Sequence, residues 1–480
     1  MIIFIKILVL SLFIPSAPAA AAPFALDSMN AAEMSAAPVP VPEAVIPDPA
    51  GKPVPAEWTV MVYSTTRDQL RYSLLWQLLE MKRVGSSEKV RVVAQATMPF
   101  LKADGSVSTD TVRIALGGPA AEGVVDAALD KVFSGGQIDE SALEAFGADI
   151  VWRAPAGDTG DWRAAADFTR WASAAYPAPR RAFVIYGHGN GFFDAKKQPA
   201  QKGTLMDTET GNYVTLPELR ELMRATGRVD AFVMTSCIMQ MAEVAWQVKD
   251  HADVVVGSSE LMYALGYDMG GMLGLLNSDP AVPSADLGRF MAAGYVERAK
   301  AFERPGAHAS VLDTSALDEL GRRVRAWVEA ETAFDNHKAE NAGIKGAARF
   351  DIFGVTMATD APHIAAALSV SGDLYDFVRI VAEKTPRDIP AGELAVARAN
   401  ELMSFISDDL FHGYYQYGTS PTGFPYARTH GISAHVPPVR LIGGSLEGFM
   451  ALQETDYWTL PFAAETGWGP FIRRMYSNYK

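Results

Sequence analysis

The sequence is poor in cysteine. Cys237 is the only one among 480 residues, so no internal disulfide can form. A single thiol in an exported chain is either buried and inert or reactive and used. Histidine is also sparse, at eight residues. His251, His308, His337, His363, His412, His430 and His435 are scattered, with no H-E-x-x-H or comparable ligand spacing. No metal site is expected on that ground. A serine nucleophile elbow, G-x-S-x-G, is missing too: Gly443-Gly444-Ser445-Leu446-Glu447 fails at its last position. The formal net charge of -14 repels phosphate backbones, which excludes nucleic acid as an expected partner. After the N-terminus no apolar run is long enough to span a membrane. No internal repeat is evident.

The N-terminus itself is distinctive. Met1 to Ile14 is an apolar run carrying one charge, Lys6. Pro15 breaks it, and the small residues SAPAAAA follow. This reads as a secretory signal peptide over residues 1–22, cleaved between Ala19 and Ala22. A secreted or periplasmic location is therefore expected. Residues 23–57 are rich in Ala and Pro, lack core-forming side chains, and read as a linker or propeptide.

Ordered structure is expected from Trp58. WTVMVYS and VRVVAQAT (residues 90–97) are short, apolar and β-rich. FVIY (183–186), FVMT (232–235) and VVVG (254–257) repeat the pattern, and HASVLD (308–313) offers a sixth strand. Helical periodicity separates them at 69–83, 162–175, 216–225 and 241–249. Buried strands alternating with helices indicate an α/β fold with a parallel sheet covered on both faces. Thr314-Ser315 is expected to cap a helix over 316–332. An α/β domain over 58–316 and a C-terminal mixed α/β region over 317–480 follow from this pattern.

Two residues carry the candidate chemistry. The third strand ends in Gly187-His188-Gly189-Asn190-Gly191, and the fourth in Thr235-Ser236-Cys237. Ligands bind beyond the carboxyl ends of strands in open parallel sheets. If these strands are neighbours, His188 and Cys237 lie side by side on that rim. An imidazole can deprotonate a thiol or donate to a leaving amine. The backbone N–H groups of Gly189 and Cys237 are candidates for holding an oxyanion.

The blocks DFTRW, AYPA and FVIYGHGNGF around His188 resemble the catalytic-histidine region of clostripain-like cysteine peptidases. SCIMQMAEVAWQVKDHADVVVGSSE, with ELRELM ahead of it, resembles the catalytic-cysteine region. Looser similarity continues in SVLDTSALDEL, DLYDFVRIV, GISAHVPP and YWTLPFAAETGWGPFI. The resemblance implies a caspase-like αβα sandwich with a mostly parallel central sheet and a C-terminal accessory region. It implies an exported cysteine endopeptidase acting on peptide or protein substrates, with His188 and Cys237 as its dyad. The separation of about fifty residues between them is that of caspases. Two other readings use the same residues: a peptide-binding relative without turnover, and an esterase or amidase.

Further roles come from the resemblance alone. Phe192 to Tyr213 matches a processing loop, with Lys196, Lys197 and Lys202 in an exposed polar stretch. The position two residues before the cysteine typically holds an aspartate that selects Arg or Lys at P1; here it is Thr235. The turn after the first strand holds Arg67 and Asp68, and caspases place an acid-binding arginine there. Ser258, Ser259 and Glu260, after the fifth strand, complete the expected substrate-binding set, with Glu260 as a replacement carboxylate. No cofactor is expected. Calcium is implied only by resemblance, since Asp207-Thr208-Glu209 lacks calcium-loop spacing.

Overall fold

The computed structural model describes residues 56–134, 137–194, 202–264, 266–350, 369–420, 423–439 and 457–478. The proposed signal peptide, nearly all of the Pro/Ala-rich segment, Lys196 and Lys197 lie outside the described residues.

The strands are β1 (Trp58–Ser64), β2 (Val90–Leu101), β3 (Val107–Leu116), β4 (Ile150–Pro155), β5 (Arg180–Tyr186), β6 (Gly189–Asp194), β7 (Lys202–Thr204), β8 (Val229–Thr235), β9 (Ala252–Gly257), β10 (Ala307–Asp313), β11 (Ser371–Asp373), β12 (Phe411–Tyr417) and β13 (Ser433–His435). Nine of them form one sheet in the order β12-β10-β9-β8-β5-β1-β2-β3-β4. Its centre, β9-β8-β5-β1-β2, is parallel throughout. These are the five strands that the apolar runs predict. β10, expected to continue the pattern, instead pairs antiparallel with β9 and β12. β3 and β4 extend the other edge, also antiparallel.

Alternating side chains of each central strand enter opposite cores, because the strand period is two residues. On β1, Met61 and Tyr63 join one hydrophobic cluster, while Trp58, Val60 and Val62 join the other. On β5, Phe183 and Ile185 face the first; Ala182, Val184 and Tyr186 face the second. Helices Trp162–Ala175, Leu216–Thr226 and Ala242–Val248 cover the first face. Helices Leu70–Val84, Met269–Ser278 and Ser284–Ala301 cover the second. This is the three-layer sandwich, and it explains why the central strands carry almost no polar alternation.

The C-terminal residues pack on the first face. Trp327, Phe377, Trp468 and Phe471 form one aromatic group within that cluster. Phe462 meets Trp246 of the helix that follows Cys237, with ring centroids 5.8 Å apart. The expected cap at Thr314-Ser315 is corrected. Asp313 accepts the Ser315 N–H at 2.9 Å, residues Thr314–Ala316 form a single tight turn, and the helix begins at Leu317. Thr314 instead donates to the Ala252 carbonyl at 2.6 Å, because its hydroxyl is buried against β9.

Candidate active site

The register of the sheet places three polar residues on one rim. Ser64, Tyr186 and Thr235 are level across β1, β5 and β8. Each is the last residue of its strand. Asp68 lies four residues beyond the first, His188 two beyond the second, and Cys237 two beyond the third. Adjacent strands are about 4.8 Å apart. The central strand β5 therefore carries the histidine, with the cysteine on one side and the aspartate on the other.

His188 Nε2 and Asp68 Oδ2 are 2.5 Å apart. The other carboxylate oxygen, Oδ1, accepts the Leu70 N–H at 3.0 Å, at the start of helix Leu70–Val84. Burial pushes the Asp68 carboxyl up. The hydrogen bond and charge of His188, the Leu70 N–H and Arg71 outweigh it, so the group lies below the usual range and is ionised at neutral pH.

Cys237 is partly exposed, and its Sγ accepts the Met262 N–H at 3.2 Å. Burial of the sulfur pushes the thiol up to about 11; the Met262 N–H opposes this and the nearby Glu260 adds to it. The thiol therefore needs a base to act at neutral pH. Ile238, directly after it, has φ of 59°, a region that β-branched residues avoid. The Ile238 N–H donates to the Glu260 carbonyl at 3.1 Å, which holds it there. Leu205 shares this conformation at φ of 54°, and its N–H donates to the His188 carbonyl at 3.1 Å. Strained backbone thus borders both candidate residues, as it does at many functional sites.

Gly189 is where the histidine and cysteine loops touch. A Cβ at this position would stand 2.6 Å from the Cys237 carbonyl oxygen and 2.8 Å from Ser236 Cβ. Only glycine permits that approach.

Several expected roles change. Asp68, expected to bind substrate, faces His188. Arg67 is not a solvated loop charge. Its side chain is 4% exposed and pairs with Asp207 at 2.9 Å and Glu209 at 2.6 Å, because a buried guanidinium requires carboxylate partners. The same pairing puts a guanidinium between the two carboxylates offered for calcium, so that donor set does not fit a dication. Among the described residues no group of three or more His, Cys, Asp or Glu is placed to hold a metal ion. Ser258, Ser259 and Glu260 are wholly buried rather than presented to substrate. Ser259 donates to the Gln240 carbonyl at 2.8 Å, Ser258 to the Glu260 carbonyl at 3.0 Å, and Glu260 Oε1 accepts the Leu261 N–H at 2.7 Å. They brace the loop that carries Cys237.

The described parts of the processing segment, 192–194 and 202–213, are not an exposed loop. β6 and β7 pair antiparallel, and Phe192, Leu205, Met206, Asp207, Tyr213 and Val214 are buried. Phe192, Leu205 and Val214 join the first core, which the polar lysines around them conceal in the sequence. Lys202 opens β7. Thr235 is buried, and its hydroxyl has no hydrogen-bond partner among the described residues. It sits beside Gly266: a Cβ there would stand 3.0 Å from Thr235 Cγ2 and 3.6 Å from the Tyr186 hydroxyl.

The model of the clostripain family matches residues 124–386, more than half of the chain. The chain belongs to the clostripain family of cysteine peptidases. It is similar over 86% of its length to the structure of a secreted C11 cysteine protease from Bacteroides thetaiotaomicron in complex with an irreversible peptide inhibitor, at 15% identity, 99% coverage of that chain and a TM-score of 0.57. A second structure of a secreted C11 cysteine protease from the same organism, "iotapain", gives 17% identity, 86% and 100% coverage and a TM-score of 0.56. An inactive zymogen C11 protease from Parabacteroides distasonis gives 13% identity, 87% and 99% coverage and a TM-score of 0.54. At these identities the likeness establishes the fold, the caspase-like sandwich. A comparison with curated proteins gave no significant match. No helix among the described residues is long and apolar enough to cross a membrane.

Proposed function

We propose that this protein is an exported cysteine endopeptidase whose nucleophile is Cys237 and whose base is His188. The observation that carries the reading is the sheet order. β5 and β8 are parallel neighbours in register, so the residues two beyond their ends share one rim. His188 takes the thiol proton as Sγ attacks the peptide carbonyl carbon. The tetrahedral oxyanion is held by the N–H groups of Gly189 and Cys237. The C–N bond breaks, His188 passes the proton to the leaving amine, and a thioester remains. Water, deprotonated by His188, then hydrolyses the thioester to a carboxylic acid and restores the thiol.

We assign the P1 subsite to the region of Thr235, and a neutral P1 residue to it. Thr235 offers a hydroxyl and no charge. Arg67 is held by two carboxylates and cannot receive a P1 acid. The Glu260 carboxylate is bound by the Leu261 N–H in the interior. An unpaired charge in such a pocket costs several kcal/mol, of order 3–5. A P1 scan on wild type and Thr235→Asp tests this. The expected result is neutral preference in wild type and a gain of Arg or Lys cleavage in Thr235→Asp. Strong Arg or Lys preference in wild type would overturn it.

A further inference from the structure

The catalytic reading leaves one short contact unassigned. His188 Nε2 and Asp68 Oδ2 are in hydrogen-bond contact, an imidazole against a carboxylate. The two residues are 120 positions apart in the chain and meet only because β1 and β5 are parallel neighbours.

We propose that Asp68 is a positioning residue that orients the His188 imidazole and fixes its tautomer, completing a Cys237, His188, Asp68 line across β8, β5 and β1. This rests on the reading of Cys237 and His188 as the reacting pair. An ionised carboxylate only accepts, so the hydrogen of neutral His188 resides on Nε2. In that tautomer Nδ1 is the basic nitrogen, the atom that would take the thiol proton. When that proton arrives, the imidazolium formed is stabilised by the adjacent negative charge. Asp68 does not itself need to take up a proton.

Asp68 is held rigidly enough for this role. The Leu70 N–H fixes Oδ1 at 3.0 Å, leaving Oδ2 for the histidine. Arg67, the preceding residue, anchors the turn through Asp207 and Glu209. Its own N–H donates to the Thr65 carbonyl at 3.0 Å. The partners of Arg67 lie directly after β7, in the segment whose Leu205 N–H binds the His188 carbonyl. Both ends of the aspartate–histidine contact are therefore tied to the residues just after β7.

The test compares wild type with Asp68→Asn and Asp68→Ser in the full mature chain. Both retain an oxygen for the Leu70 N–H, so the helix start is kept and melting temperatures should stay close to wild type. Turnover of a peptide substrate should fall roughly 100-fold or more in kcat, with KM within about threefold. The second readout is imidazole ¹⁵N NMR, with the His188 signal assigned through His188→Ala. Wild type should show the Nε2–H form; the variants should show a mixture that includes Nδ1–H. A purely structural role would not move the tautomer. Wild-type kcat and an unchanged tautomer in both variants would overturn the proposal. If wild type shows no Cys237-dependent turnover, the catalytic reading fails, and the NMR arm still decides whether Asp68 orients His188.

Discussion

The backbone N–H of Met262 donates to Cys237 Sγ at 3.2 Å, tying the loop after β9 to the candidate nucleophile after β8. One N–H does not offset the burial of the sulfur, and the thiol is pushed up to about 11. Reactivity at neutral pH therefore depends on His188. In His188→Ala the rate of alkylation by iodoacetamide should rise about tenfold per pH unit between pH 7 and 10, following the thiolate fraction. Wild type should react faster than this variant at pH 7. A plateau below pH 8 in His188→Ala would show that the thiolate is stabilised without the histidine.

Gly189→Ala should reduce kcat roughly 100-fold or more. Its Cβ would meet the Cys237 carbonyl oxygen at 2.6 Å, and backbone cannot yield as a flexible side chain does. The loops must separate, and the Gly189 and Cys237 N–H groups with them. Steady-state kinetics beside circular dichroism measures this; full activity in the folded variant would remove Gly189 from the oxyanion site.

The five central strands were legible because each is a short apolar run buried on both faces, a pattern with no helical competitor at that length. β3, β4 and β12 were not. VSTDTVRIAL is largely half-exposed and polar at its start, and FHGYYQY is half-buried throughout. Such peripheral strands are specified by pairing with neighbours rather than by their own hydrophobicity. The shared rim of His188 and Cys237 was legible because each follows a recognisable strand. The partners of Arg67 and Asp68 were not, since Asp207, Glu209 and His188 are more than a hundred residues away and no local pattern encodes a charge pair. The one available signal was the position of Asp68 on the same rim, just beyond β1.

Arg67→Ala should destabilise the fold by about 3 kcal/mol or more without changing P1 preference. It leaves Asp207, wholly buried, without its cation. Asp207 would keep only the N–H and hydroxyl of Thr159 and its local turn contacts. Urea unfolding and a P1 scan on the variant provide the two readouts. An altered P1 preference at unchanged stability would return Arg67 to the pocket.

Glu243 links the helix after Cys237 to the C-terminal region. Its carboxyl accepts the His435 N–H and the Tyr457 hydroxyl, each at 2.8 Å. Burial pushes it up to about 7, against an ordinary value of 4.5. A raised carboxyl favours the folded state at low pH, so its stabilisation is complete below about 4.5 and lost as pH rises to about 7. Asp373 and Glu331, both raised to about 7 by burial, act in the same sense. His308 and His435, lowered to about 3 by burial, act oppositely as pH falls from 6.5. Glu243→Gln keeps the shape and removes one titration. Its melting temperature relative to wild type should rise between pH 5 and pH 8. A constant difference across that range would mean that Glu243 does not titrate in the window.

The central claim is that Cys237 cleaves peptide bonds. Digestion of a peptide library by the mature protein, in parallel with Cys237→Ala, tests it most directly. Both should be folded, since Cys237 is partly exposed and alanine leaves little void. Wild type should make internal cleavages, and Cys237→Ala none above background. Cleavage by Cys237→Ala at the wild-type rate, with the same products, would contradict it.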